Sequence, residues 1–200
     1  NASRLDGLTL IAGDKRSKEV ARGAERGMIV SSAAAFAREL ANTPPTYLNA
    51  KDLAAKAVDI GSAAGLHVEV FNKDQLEQMG CGGLLGVNRG STEPPRMVKL
   101  TWSPKNPTGH LALVGKGIMY DSGGLSLKPG DEVHAQMKND MSGAAAVFAA
   151  MLHLAELGWT DTVLLERDRL TSGTTWHAAG LMVTFGSTSQ TSTELRMYTK

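Results

Sequence analysis

The spacing of apolar residues predicts two helices in the first third of the chain. In residues 17–41 the apolar side chains that share one helical face are Ile29, Ala33, Phe36, Ala37 and Leu40. The prolines of "NTPP" (residues 42–45) end this helix, because they cannot continue its hydrogen-bond ladder. Asn49 is a typical N-cap residue, so a second helix is predicted to follow it and to end at Gly65.

Two other hydrophobic patterns predict strands. Apolar and polar residues alternate in "LHVEVF" (66–71) and "RMVKLTW" (96–102). The short apolar runs "LALVG" (111–115) and "TVLLE" (162–166) are typical of strands buried on both faces of a parallel sheet. Between them, residues 141–158 are almost entirely apolar and predict a long helix. Strand, helix and strand form a βαβ unit, so we predict an α/β fold whose partly parallel sheet is flanked by helices.

The amino-acid composition indicates which classes of binding partner are excluded and in which cellular compartment the protein is expected. The 200 residues carry 21 Lys and Arg against 20 Asp and Glu, so no global charge favours nucleic acid or a membrane surface. Cys81 is the only cysteine, which excludes an internal disulfide framework and is typical of a reducing compartment. No apolar run approaches the roughly 20 residues of a membrane span, and no signal peptide is recognisable. We therefore expect a cytoplasmic protein.

The stretch "VGKGIMYDSGGLSLKP" (114–129) contains lysines and an aspartate among glycines, directly after a predicted buried strand. A phosphate-binding P-loop would require Lys and Ser or Thr after two spaced glycines, at the start of a helix. Here Gly117 follows Lys116, and no helix is predicted for some twenty residues. A dinucleotide fingerprint would require a glycine where Tyr120 stands. Neither phosphate interpretation fits.

A metal site fits this loop better. Asp121 ends the glycine-rich turn, and "MKND" places Asp140 at the start of the long apolar helix. Two carboxylates at one strand end are hard oxygen ligands for Mn²⁺, Mg²⁺ or Zn²⁺. Lys116 would neutralise them or donate its amine to the metal, and Lys128 would place a cation beside a polarised carbonyl. The alternative is an ordinary turn with surface ion pairs.

Three motifs together resemble the leucyl aminopeptidase (cytosolic metalloaminopeptidase) family over about residues 20–158. These motifs are "NTPPTYL", "VGKGIMYDSGGLSLKP" and "MKNDMSGAAAV". The resemblance implies a truncated aminopeptidase catalytic domain with metal ligands at Lys116, Asp121 and Asp140 and a catalytic lysine at Lys128. It also implies peptide substrates, from which two bridged divalent metals (Mn²⁺ or Zn²⁺) release N-terminal residues by activating water.

One motif of that family, "NTDAEGR", which supplies further ligands and an arginine, does not occur in residues 159–200. Three candidate ligands are too few for two divalent ions, because each ion takes four to six donors. We therefore expect impaired activity. Uncovered sheet edges and helix faces predict self-association or a homo-oligomer.

Residues 159–200 resemble a different family and predict a foreign tail after a first domain at residues 1–158. "TWHAAG" resembles FAD-dependent sarcosine and dimethylglycine dehydrogenases, in which the histidine at the position of His177 links to flavin. Glu166 would stand at the ribose-binding position. The glycines of the pyrophosphate cradle are absent at the required spacing before Glu166, so no flavin is expected. The alternatives are a fragment of an FAD-dependent amine dehydrogenase and a fused chain without function.

Overall fold

The computed structural model describes residues 7–107 and 109–158, all within one compact unit that spans residues 1–160. The predicted strand at 162–166, Glu166 and His177 lie outside the described residues. The helices are α1 (Ser17–Asn42), α2 (Ala50–Ala63), α3 (Lys73–Gln78), α4 (Gly82–Asn88), α5 (Glu132–Gln136) and α6 (Ser142–Glu156). The strands are β1 (His67–Phe71) and β2 (Met97–Thr101), and short 3-10 turns cover Asp14–Arg16 and Met137–Asn139.

Helix α1 ends where the prolines require it. The backbone turns extended at Thr43, whose hydroxyl donates to the carbonyl oxygen of Glu39 at 2.7 Å. This bond satisfies one of the last carbonyls of the helix, which have no partner within it. The second half of α1 carries the buried Leu40, while nearly every residue of the first half is exposed. Only the second half therefore contributes to the core.

The predicted N-cap of α2 is confirmed. Asn49 Oδ1 accepts from the backbone N–H groups of Lys51 at 2.9 Å and Asp52 at 3.1 Å. In return, Asp52 Oδ2 accepts from the backbone N–H of Asn49 at 3.0 Å, which completes a capping box. At the other end the chain reverses at Gly65, whose φ of 78° suits glycine. Local sequence thus determines both ends of α2.

Strands β1 and β2 form an antiparallel pair in which His67 faces Thr101 and Phe71 faces Met97. Both predicted alternating strands are confirmed. In the middle of the pair, Lys99 Nζ lies 2.6 Å from Glu69 Oε2. The hydrogen bond from Lys99 holds the pKa of the Glu69 carboxyl below its ordinary value. Helix α2 lies against this sheet at Gly61, where a Cβ atom would approach Val68 Cγ2 to 2.9 Å.

The mixture of helices with a small sheet is consistent with the predicted α/β class, but the described sheet is one antiparallel pair rather than partly parallel, and one predicted strand was wrong. Residues 111–115 form no strand, and Val114 is 93% exposed. A strand requires a neighbour for its backbone groups, and in the described part of the chain the sheet contains only β1 and β2. The apolar run instead continues into an irregular segment that contacts the start of α6.

The hydrophobic core lies mainly between α1, α2 and α6. Phe36 and Phe148 meet edge to face with ring centroids 5.2 Å apart. The buried members of the core are Leu40, Leu48, Ala57, Leu66, Met141, Ala145, Phe148 and Leu152. Helix α6 confirms the predicted long helix, and Gly158 follows it with a φ of 61°. None of the described helices is both long and apolar enough to cross a membrane.

Replacing the cap residue of α2 tests how far the capping box stabilises the fold. Asn49→Ala removes the acceptor of two backbone N–H groups, and we expect it to lower the free energy of unfolding by about 1 kcal/mol. Urea denaturation followed by circular dichroism measures this change. The matched variant Asn49→Ser keeps a side-chain acceptor and should cost less. Equal losses in the two variants would show that the cap contributes nothing.

Candidate functional site

The candidate site begins where two stretches of backbone touch. The N–H of Ala144, in the first turn of α6, donates to the carbonyl oxygen of Lys116 at 2.8 Å. A Cβ atom on Gly115 would collide with the carbonyl oxygen of Gly143. A Cβ atom on Gly143 would lie 3.0 Å from the backbone nitrogen of Lys116. Gly115 therefore allows a contact that a side chain would prevent, whereas a Cβ atom at Gly143 would only make it tighter.

This backbone contact brings Lys116 to Asp140. Lys116 Nζ lies 3.0 Å from Asp140 Oδ2, and the aspartate side chain is 20% exposed. The Oδ2 atom itself is buried and accepts no hydrogen bond from the described residues, so the ammonium is close without hydrogen-bond alignment. Buried carboxylate oxygens normally have a partner. For Asp140 Oδ2 the Lys116 ammonium is that partner, as an ion pair.

The second predicted pair is formed by the glycine-rich turn. Lys128 Nζ lies 3.6 Å from Asp121 Oδ2, and both side chains are about one-third exposed. Asp121 Oδ1 accepts from the N–H of Gly123 at 2.8 Å, and the N–H of Lys128 donates to the carbonyl oxygen of Ser122 at 2.9 Å. Gly123 has a φ of 92°, which only glycine adopts readily. The turn therefore folds Lys128 back onto Asp121.

Two further contacts hold the loop that carries these residues, and sequence reasoning missed both. Lys138 Nζ donates to the carbonyl oxygen of Asn42, the last residue of α1, at 2.9 Å. Tyr120 donates its hydroxyl to the carbonyl oxygen of His134, in α5, at 3.1 Å. Asp131 caps α5 by accepting from the His134 N–H. That aspartate is the one local signal that could have predicted this short helix.

The four predicted site residues thus form two lysine–carboxylate pairs. Among the residues that the structure describes, no group of three or more His, Cys, Asp or Glu side chains is arranged to hold a metal ion. The available donors are two carboxylates and the Lys116 amine, fewer than a divalent ion usually takes. These donors are too few for a bridged pair of divalent ions.

Comparison with known sequences gives strong matches. The model for the cytosol aminopeptidase family, catalytic domain, matches residues 35–165. A probable cytosol aminopeptidase of Chlorobaculum tepidum is 44% identical over 155 residues, which are 77% of this chain and 31% of the relative. Another, of Streptomyces avermitilis, is 41% identical over 191 residues, 96% of this chain and 35% of the relative. The chain spans about a third of the length of these relatives.

Solved structures show the same likeness. The bottromycin maturation enzyme BotP in complex with Mn is 40% identical with a TM-score of 0.63, and the match covers 74% of this chain and 31% of that one. Leucyl aminopeptidase from Trypanosoma brucei in complex with bestatin is 36% identical with a TM-score of 0.65. That match covers 68% of this chain and 26% of the enzyme. The fold is therefore that of part of a leucine aminopeptidase domain.

A methyl group added at Gly115 tests the backbone contact between this residue and the start of α6. In Gly115→Ala the new Cβ collides with α6, and we expect a loss of roughly 1–3 kcal/mol in the free energy of unfolding. Gly90→Ala is the matched control, because a Cβ atom at Gly90 meets nothing within 4 Å. Urea denaturation measures both variants. If Gly115→Ala unfolds at the same urea concentration as the control, the close approach does not constrain the fold.

Proposed function

The chain belongs to the cytosol aminopeptidase family, and from this membership we propose that it is the metal-binding part of a hydrolase that releases N-terminal residues from peptides. The observation that supports the proposal best is the Lys116–Asp140 pair, in which a buried carboxylate oxygen, Asp140 Oδ2, lies 3.0 Å from Lys116 Nζ. A carboxylate oxygen held away from solvent requires a positive charge beside it, and a divalent ion at this position would supply that charge.

We propose that Asp140, Asp121 and the Lys116 amine hold one divalent ion, and that Lys116 releases its proton to solvent when the ion binds. Carboxylates are hard ligands that suit Mn²⁺ and Zn²⁺. Manganese is our first choice because the similar structure of BotP is a complex with Mn. When bound, such an ion polarises a scissile carbonyl and lowers the pKa of water.

Lys128 is the proposed catalytic residue. Its ammonium donates hydrogen bonds to the substrate carbonyl oxygen, on which negative charge develops during hydrolysis. Asp121, 3.6 Å from Lys128 Nζ, holds the lysine side chain in place. We further propose that residues 1–200 by themselves have impaired activity, because they contain no NTDAEGR-type motif and offer fewer donors than two bridged ions require.

Two further expectations belong to this proposal. The name of the cytosol aminopeptidase family places its members in the cytosol, and we propose the same location for this chain. Large apolar side chains such as Val114 and Leu125 are almost fully exposed. Because exposed apolar surface favours association, we propose that the chain forms a homo-oligomer or self-associates.

Isothermal titration with Mn²⁺ tests the metal site. We expect weak binding of at most one ion per chain, and no binding to the double variant Asp121→Ala with Asp140→Ala. The control is Asp59→Ala with Asp74→Ala, which removes the same charge from exposed helix positions and should bind like the parent. The metal site is refuted if the parent gives no heat of binding, or if both double variants bind equally.

Hydrolysis of a leucine chromogenic amide with added Mn²⁺ tests the role of Lys128. We expect slow hydrolysis by the parent, lowered roughly 10²–10³-fold in Lys128→Ala, because the donor to the developing oxyanion is removed. Lys51→Ala, at an exposed position in α2, is the control and should keep the parental rate. A Lys128→Ala variant as fast as the parent would rule out a catalytic role for this lysine.

A further inference from the structure

The side chain of Tyr120 joins the two arms of the loop that carries the candidate site. Tyr120 directly precedes Asp121 on the first arm, and His134 lies in α5 on the second arm, which leads to Asp140. The Tyr120 hydroxyl donates to the backbone oxygen of His134 at 3.1 Å. The two rings are also in contact, with centroids 5.6 Å apart and planes inclined by 35°. The contact thus spans 14 residues of chain.

The carbonyl oxygen of His134 can accept the hydrogen bond from Tyr120 in addition to a backbone bond. The His134 carbonyl lies near the end of α5, where it also accepts from the N–H of Met137. A carbonyl oxygen has two lone pairs, and those at the end of a helix lack intrahelical partners. Asp131 caps the opposite end of the same helix. A side chain therefore bonds to a backbone group at each end of α5. Asp131 is the adjacent N-cap residue, whereas Tyr120 comes from a distant part of the loop.

The loop has few other bonds to hold it. Residues 109–119 form no helix or strand. After Tyr120, the turn is folded by hydrogen bonds from the Gly123 N–H to Asp121 Oδ1, from the Gly124 N–H to Ser122 Oγ and from the Lys128 N–H to the carbonyl oxygen of Ser122. Where few bonds order a segment, each one accounts for a large part of the local stability. Loss of the Tyr120 bond should therefore loosen the turn rather than the whole fold.

We propose that Tyr120 is a positioning residue, whose hydroxyl bond to the His134 carbonyl holds Asp121 and Lys128 in place relative to Asp140. The bond acts through the backbone of His134, so the identity of the side chain at position 134 is secondary. The expected effect of Tyr120 on metal binding rests on the function proposed above. The expected effect of Tyr120 on the order of the loop is independent of that function.

Amide hydrogen exchange, measured by nuclear magnetic resonance on the whole chain, tests the loop directly. Tyr120→Phe keeps the ring and removes the hydroxyl. We expect the amides of Gly123 and Lys128 to exchange about threefold to tenfold faster in this variant, as for the loss of one hydrogen bond. Amides of α2 should be unchanged. His134→Leu is the matched control, because it removes the ring contact and keeps the acceptor, and it should leave both loop amides near the parental rate.

Mn²⁺ titration of the same variants separates the effect of Tyr120 on loop order from its effect on metal binding. Tyr120→Phe should bind the ion a few-fold more weakly than the parent and His134→Leu. Unchanged loop exchange in Tyr120→Phe overturns the inference, and so does an equal rise in His134→Leu, which would assign the effect to the rings. If the loop exchange rises only in Tyr120→Phe while the parent binds no Mn²⁺, Tyr120 orders the loop and the proposed metal function fails.

Discussion

Where Gly115 meets Gly143, two stretches of backbone approach more closely than a side chain at position 115 would permit, and the bond from Ala144 to Lys116 joins them. This contact seats the irregular segment after residue 111 on the first turn of α6. Asp140 lies two residues before α6, so the same contact sets Lys116 beside it. Without Gly115, the first of the lysine–carboxylate pairs could not form in this way.

The pairing of each carboxylate with a lysine explains how the loop tolerates two acidic side chains. Carboxylates brought close to one another repel, and a neighbouring cation removes that cost. Both pairs are partly exposed, so solvent screens them and they add little to stability. Their importance lies in placing oxygen atoms and ammonium groups where a hydrolase of this family would use them. The closer of the two pairs is the one at the buried Asp140 Oδ2, 3.0 Å against 3.6 Å.

The hydrophobic core fixes the helices to which the site loop is attached. Phe148 packs edge to face on Phe36 and fixes α6 against α1. Lys138 then ties the turn before Asp140 to the last carbonyl of α1. Both ends of the site loop are thus attached to the most buried helices, while the turn between them depends on local bonds and on the Tyr120 hydroxyl. A rigid base with a lightly held loop is typical of functional sites.

Sequence alone determined the features whose causes are local: the end of α1 at the prolines, the capping box at Asn49 and the two alternating strands. The family motifs also identified the four candidate site residues before any geometry was known. Tertiary structure decided the rest. Residues 111–115 were predicted as a strand because they are apolar, but a strand exists only where a neighbour accepts its hydrogen bonds. The partners of Lys116 and Tyr120 lie 24 and 14 residues away along the chain, and only the folded backbone brings them together.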